Sequence, residues 1–180
     1  MKIQPSIAGA FAIIPRFDES GNEYSVVYKD ESFEKYPFKS RMILDCLLRQ
    51  NGSSYRGAKD AANFVLRSSS MFPIVTQLNP SIVVWFPSES PKNKTCVYFA
   101  LDQISEFDHF GDNKTIVYNY SGIGVVVPVP ISKFNRRIGS AKECMADFYK
   151  IQRRNPSLYV QAEEKLIIHC ADLHEPYHLK

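Results

Sequence analysis

The sequence predicts an α+β fold: a single domain in which an antiparallel β-sheet or meander carries a capped helix after a Gly-Ser-Ser-Tyr loop and a long amphipathic helix towards the C-terminus. Three observations predict it. Short stretches rich in β-branched and aromatic residues gather in two blocks, before residue 39 and from Pro73 onwards. Apolar residues at steps of three and four mark the stretches between and after them. Strands and helices never alternate in the βαβ manner of a parallel sheet.

The apolar run Ile7 to Ile14 reads as a first strand. It is short, carries Gly9, is followed by Pro15 and has only Lys2 before it, which argues against a signal peptide. Tyr24, Val26 and Val27, then Phe33, Tyr36 and Phe38, form β-rich pieces between acidic turns, with Ser20-Gly21-Asn22 as a hairpin connection. From Lys39 to Arg49, Ile43, Leu44, Leu47 and Leu48 recur at helical intervals, and Gln50-Asn51-Gly52 is a helix stop. Ser53 or Ser54 then caps a second helix. Its apolar face is Ala58, Ala61, Ala62, Val65 and Leu66, and Arg56, Lys59, Asn63 and Arg67 occupy another face. Strands follow as PIVTQL, SIVVWFP, TCVYFA, KTIVYNY and Ile123 to Val129, a meander whose last member is stopped or held at an edge by Pro128 and Pro130. Ile131, Phe134, Ile138, Ala141, Met145 and Phe148 give a helical face of about five turns, weakened at Gly139 and ended by Pro156. The domain is expected to span 1–156, with 157–180 as an extension holding a short helix and a flexible tail.

The stretch GSSYRGAK, residues 52–59, has the glycines, hydroxyls and lysine of a phosphate loop, but Ala58 follows its second glycine, the lysine is displaced by one and Asp60 comes next. A nucleotide-binding loop needs lysine and then a hydroxyl at those places. What remains is a helix start, whose backbone N–H groups and dipole attract anions, next to a cationic face. A solvated face of a capped helix is the plain alternative. Net charge over the 180 residues is only +3, yet Lys133, Arg136, Arg137, Lys142, Lys150, Arg153 and Arg154 stand against Glu143 and Asp147 alone. That local excess exceeds the whole-chain value, so the rest of the molecule is slightly acidic and the positive field is focused, as a phosphate-bearing partner favours.

Other chemistry is weakly supported. Cys46, Cys96, Cys144 and Cys170 form neither a CxxC pair nor a disulfide framework and read as reduced, packed thiols. His169, Cys170, Asp172, His174 and His178 are metal-capable, but the one other histidine is the distant His109, so a partly ordered tail is the simpler reading. Asp102, Glu106 and Asp108 read as solvated carboxylates around a turn. No nucleophile, base and oxyanion site come together, so neither an enzyme nor a cofactor is expected. Trp85 and Phe86 suggest a platform for single strands, but Val83 and Val84 beside them favour a buried strand. No apolar run is long enough to span a bilayer, so a soluble, cytoplasmic protein is expected.

Cys46, then Gly52-Ser53-Ser54-Tyr55-x-Gly57-x-Lys59, then Pro73-Ile74-Val75, then Phe86-Pro87-Ser88-x-Ser90 and Cys96 with an aromatic two residues on form an ordered set that resembles the ComK family, the competence transcription factors of Gram-positive bacteria. The resemblance runs from about Leu44 to Phe148 and includes Pro130-Ile131-Ser132 with Phe134. It implies an activator of DNA-uptake genes that recognises paired A/T-rich boxes of double-stranded DNA through the minor groove, bends them as a homodimer or dimer of dimers, and is delivered by an adaptor to an AAA+ protease. Ala58 stands where the family commonly has a basic residue, Tyr98 where it has tryptophan, and Ser140-Ala141 where it has an Arg-Thr pair, with Arg137 one turn earlier.

The expected DNA-binding residues are therefore Ser53, Ser54, Tyr55, Arg56, Lys59, Asn63, Arg67, Lys133, Arg136 and Arg137, acting with RNA polymerase after bending. The alternative is an interaction module without DNA function that serves as a decoy for the proteolytic adaptor.

Overall fold

The computed structural model describes residues 7–154 apart from 31, 68–70 and 79–80. Three antiparallel strands come first: β1 (Ala12–Phe17), β2 (Glu23–Tyr28) and β3 (Phe33–Tyr36). The β1–β2 hairpin closes on Asp18, whose carboxylate accepts from the backbone N–H of Ser20 (2.9 Å) and Asn22 (2.8 Å), while Gly21 supplies φ +78°. Two helices follow, α1 (Ser40–Gln50) and α2 (Tyr55–Leu66), and then β4 (Ile74–Gln77), β5 (Val83–Pro87) and β6 (Tyr98–Ala100). A single 3-10 turn, Leu101–Gln103, leads into β7 (Ile104–His109), β8 (Thr115–Asn119), β9 (Gly124–Val127) and the long helix α3 (Ile131–Arg154).

The strands form two antiparallel sheets rather than one meander. Six strands are ordered β3-β2-β1-β6-β5-β4, so β6 crosses over to lie beside β1; the other three follow one another as β7-β8-β9. The predicted mixed α+β domain stands, and its β part is split in two. Side chains that alternate along the large sheet reach two different cores. Ile13, Val27, Ile74, Trp85, Tyr98 and Ala100 meet α1 and the start of α2, whereas Ala12, Ile14, Val84, Phe86, Val97 and Phe99 meet the small sheet and α3. Burial on both faces explains why VVWFP and CVYFA read as continuous apolar runs instead of an alternation. Trp85, 2% exposed, is core and not a stacking platform.

Phe134 of α3, fully buried, joins the layers. Its ring lies 5.7 Å from those of Phe86 and Phe99 in the large sheet and 5.3 Å from that of Phe107 in the small one.

Two sequence-based expectations shift. The first strand begins at Ala12, not Ile7; residues 7–11 precede it, with Ile7, Ala10 and Phe11 still buried. The carboxylates placed around a turn at 102–108 belong in part to β7, where Glu106 and Asp108 are exposed strand residues. A register shift between Ile104 and Glu106 sets the inward residues Ile104 and Phe107 three apart, which hides the period of two. The outer strand of the large sheet, β4, is partly closed by Asn51, whose amide donates to Thr76 O at 3.0 Å. The small sheet ends at β9, which carries no charged side chain and leaves Val126 42% exposed. Among the described residues no helix is long and apolar enough to cross a membrane.

Candidate nucleic-acid interface

Helix α2 starts where its sequence says it should. α1 stops at Asn51, Gly52 turns the chain with φ +75°, and Ser54 takes the extended N-cap conformation, with its hydroxyl accepting from Gly57 N at 3.1 Å. A residue that sequence reasoning missed, Asp45, fixes the turn from α1: one carboxylate oxygen accepts from Tyr55 N and the other from Arg49 Nε, both at 2.7 Å. The Tyr55 N–H bond first, and then Arg49, hold the Asp45 carboxyl below its ordinary range. Two of the first three backbone N–H groups of α2 are thus satisfied from within the protein, leaving that of Arg56. The helix start is largely self-capped, and its capacity for an external anion lies in the side chains around it.

Those side chains divide into two groups. Tyr55, expected at the surface, is buried. Its hydroxyl lies 2.9 Å from that of Tyr98, and the Arg41 guanidinium sits 4.5 Å above its ring. Burial raises both phenol pKa values, so both stay neutral. The apolar ring drives this inward placement, with Tyr98 supplying the partner that a buried hydroxyl requires. Arg137 is likewise drawn in. One guanidinium nitrogen donates to Pro87 O at 3.3 Å and to Met71 Sδ at 2.7 Å, while its Nε is buried without an acceptor among the described residues. Burial lowers the Arg137 pKa, opposed by Cys96 and Glu89 nearby.

Ser53, Arg56, Lys59, Asn63 and Arg67 are exposed, as are Lys133 and Arg136 on α3, and Ser54 is half-buried. Arg56 lies 4.0 Å from Asp60 with its side chain 91% exposed, a loose pair of small energetic weight. Arg67 ends the helix in the left-handed conformation, φ 50°. Lys59 stretches over the Phe72 ring, 5.6 Å from its centroid.

α2 and α3 lie side by side through Ala62 and Leu66 on one and Cys144 and Phe148 on the other, with Phe72 between. They run in opposite directions, because the start of α2 (Gly57, Ala58) shares a groove with Phe148 whereas Met71, beyond its end, meets Arg137. Lys59 on Phe72 and Arg137 on Met71 therefore approach neighbouring residues of one segment. Two basic groups far apart in sequence thus lie against adjoining residues. Sequence reasoning also passed over Phe64, which is 82% exposed on α2; a helical projection separates it from Ala58, Ala62 and Leu66 and would have found it.

The thiols are poor nucleophiles. Burial pushes both Cys96 and Cys144 up to about 11, and Cys46 is half-buried. Cys170 and the histidine-rich tail lie outside the described residues, as does the expected short helix after Pro156.

A family model described as ComK protein matches residues 8–153. No curated protein and no solved structure matches the chain.

Proposed function

The chain belongs to the ComK family of competence transcription factors, and from that premise we propose that it activates DNA-uptake genes by binding paired A/T-rich boxes with the outer surface of α2 and the N-terminal part of α3. The observation that carries this reading is the approach of Lys59 and Arg137 to the adjoining Phe72 and Met71. It supports the reading by bringing one basic side chain of each helix to adjoining residues, Phe72 and Met71. In this reading Arg56, Lys59, Arg67, Lys133 and Arg136 neutralise phosphates, and Ser53 and Asn63 add polar contacts. Ser54, Tyr55 and Arg137 act indirectly, by fixing the turn and the α2–α3 junction. Phosphate contacts set register on the duplex, and preference for A/T tracts comes from their narrow, strongly negative minor groove, which attracts guanidinium groups.

The protein acts in the cytoplasm as a homodimer or dimer of dimers on two boxes, aids RNA polymerase once the DNA is bent, and is removed through an adaptor of an AAA+ protease. Affinity for paired A/T-rich and G/C-rich duplexes, measured across a salt series, tests the central claim. The expected result is a preference for A/T boxes and a steep salt slope, which Arg56→Ala and Lys59→Ala each reduce by about one unit. An unchanged slope in both variants removes α2 from the interface. Absence of binding to any duplex turns the reading to the decoy module.

A further inference from the structure

We infer that Phe64 is a wedge that α2 drives between two base pairs from the minor-groove side, an inference that rests on the DNA-binding reading above. Phe64 is the most exposed large apolar side chain among the described residues, at 82%. It sits in the middle of a regular helix that needs nothing from it. At about 100° per residue, Phe64 lies about 160° around α2 from Ala62 and 180° from Tyr55, which are the residues that anchor the helix in the cores. Arg56 and Arg67 fall within about 80° of it and Asn63 within about 100°, and all three are exposed. A phenyl ring in that arc is solvated at a cost the fold does not recover.

The surrounding charge selects the occupant. Arg56 lies about 12 Å from Phe64 along the axis towards the helix start and Arg67 about 4.5 Å towards its end, at 1.5 Å per residue. Cations therefore bracket the ring along the helix. The one acid in the arc, Asp60, already lies beside Arg56. With Arg56 and Arg67 against Asp60 the arc carries a net positive charge, and a phosphate-edged groove satisfies both that charge and the ring; a second copy of the chain is the competing occupant, which the mass measurement below tests.

A helix about 10 Å across does not descend into a minor groove about 6 Å wide. Where a step kinks and the groove opens, a ring projecting from the middle of the helix face meets the exposed base edges. Inserting a ring there unstacks a step, opens the groove and kinks the duplex by tens of degrees towards the major groove. Pyrimidine–purine steps, TA above all, unstack most readily, so the wedge adds selectivity for A/T-rich sequence without a hydrogen bond to any base.

The test uses the full chain and a duplex of two A/T boxes with 2-aminopurine beside a central TA step and dyes at its ends for energy transfer. Wild type is expected to raise the 2-aminopurine signal and shorten the end-to-end distance. Phe64→Ala, which removes an exposed group and leaves the thermal midpoint in place, is expected to abolish both changes and weaken binding about ten- to hundredfold, with the salt slope kept because phosphate contacts remain. A mismatch placed at the TA step should restore much of that affinity, and Phe64→Leu should retain part of the bend. Bending and unstacking by Phe64→Ala at wild-type levels overturn the wedge while leaving the DNA reading intact. A fall in molecular mass of Phe64→Ala without DNA overturns it in favour of a protein contact. Failure of wild type itself to bind any duplex sinks the DNA reading and the wedge with it.

Discussion

Ser54, Tyr55 and Asp45 show how few atoms set the approach to α2. The Ser54 hydroxyl satisfies Gly57 N, so Ser54→Ala should destabilise the protein by about 1 kcal/mol, visible as a lower thermal midpoint. Tyr55→Phe leaves the buried Tyr98 hydroxyl without its partner and should cost about 1–3 kcal/mol in chemical unfolding while the salt slope of DNA binding stays put. That combination separates a positioning residue from a contact. Asp45 adds a pH signature. Its folded pKa is depressed by Tyr55 N–H and Arg49, so the stability it contributes is whole above the unfolded carboxylate value near 3.9 and fades as pH falls through that value towards the lower folded one. The stability gap between wild type and Asp45→Asn should accordingly be wider at pH 7 than at pH 3. The serine cap was legible in the sequence because capping is local; Asp45 was not, because its partner Tyr55 lies on the next helix, across a turn that only the fold closes.

Elements were legible in proportion to how cleanly one period governed them. α1, α2 and most of α3 follow from apolar steps of three and four, and β8 follows from its run of β-branched and aromatic residues before the Ser121-Gly122 turn, although the sequence did not show that Thr115, Val117 and Asn119 face inward. β7 was lost to a register shift, and the crossover that puts β6 beside β1 is a long-range pairing that no window of neighbours contains. α3 is the element on which most depends, through Phe134. Phe134→Ala removes ring contacts to both sheets at a site with no exposure, and a loss of about 3–5 kcal/mol is expected, read as a lower urea midpoint with an unchanged m value. If the midpoint holds, the two sheets are not joined through this ring.

At the scale of the whole molecule, a small net charge conceals a directed one. Lys150 is paired with Asp147 at 2.7 Å and Arg137 is turned inward, so the late-helix excess seen in the sequence overstates the charge left for a partner. Five exposed cations remain on the proposed surface, Arg56, Lys59, Arg67, Lys133 and Arg136, and a log–log salt slope of about −4.5 per bound protomer is the expected reading, doubling for two. A slope near −1 would mean that most of these side chains never touch phosphate. The outer strand β9 bears on handling rather than on binding. Its bare run Gly124-Val125-Val126-Val127 lacks the lysines, acids and bulges that discourage stray association in β3 and β7. Concentrated stocks should therefore cloud by strand-to-strand stacking, and Val126→Lys should raise the threshold for light scattering while leaving DNA affinity alone.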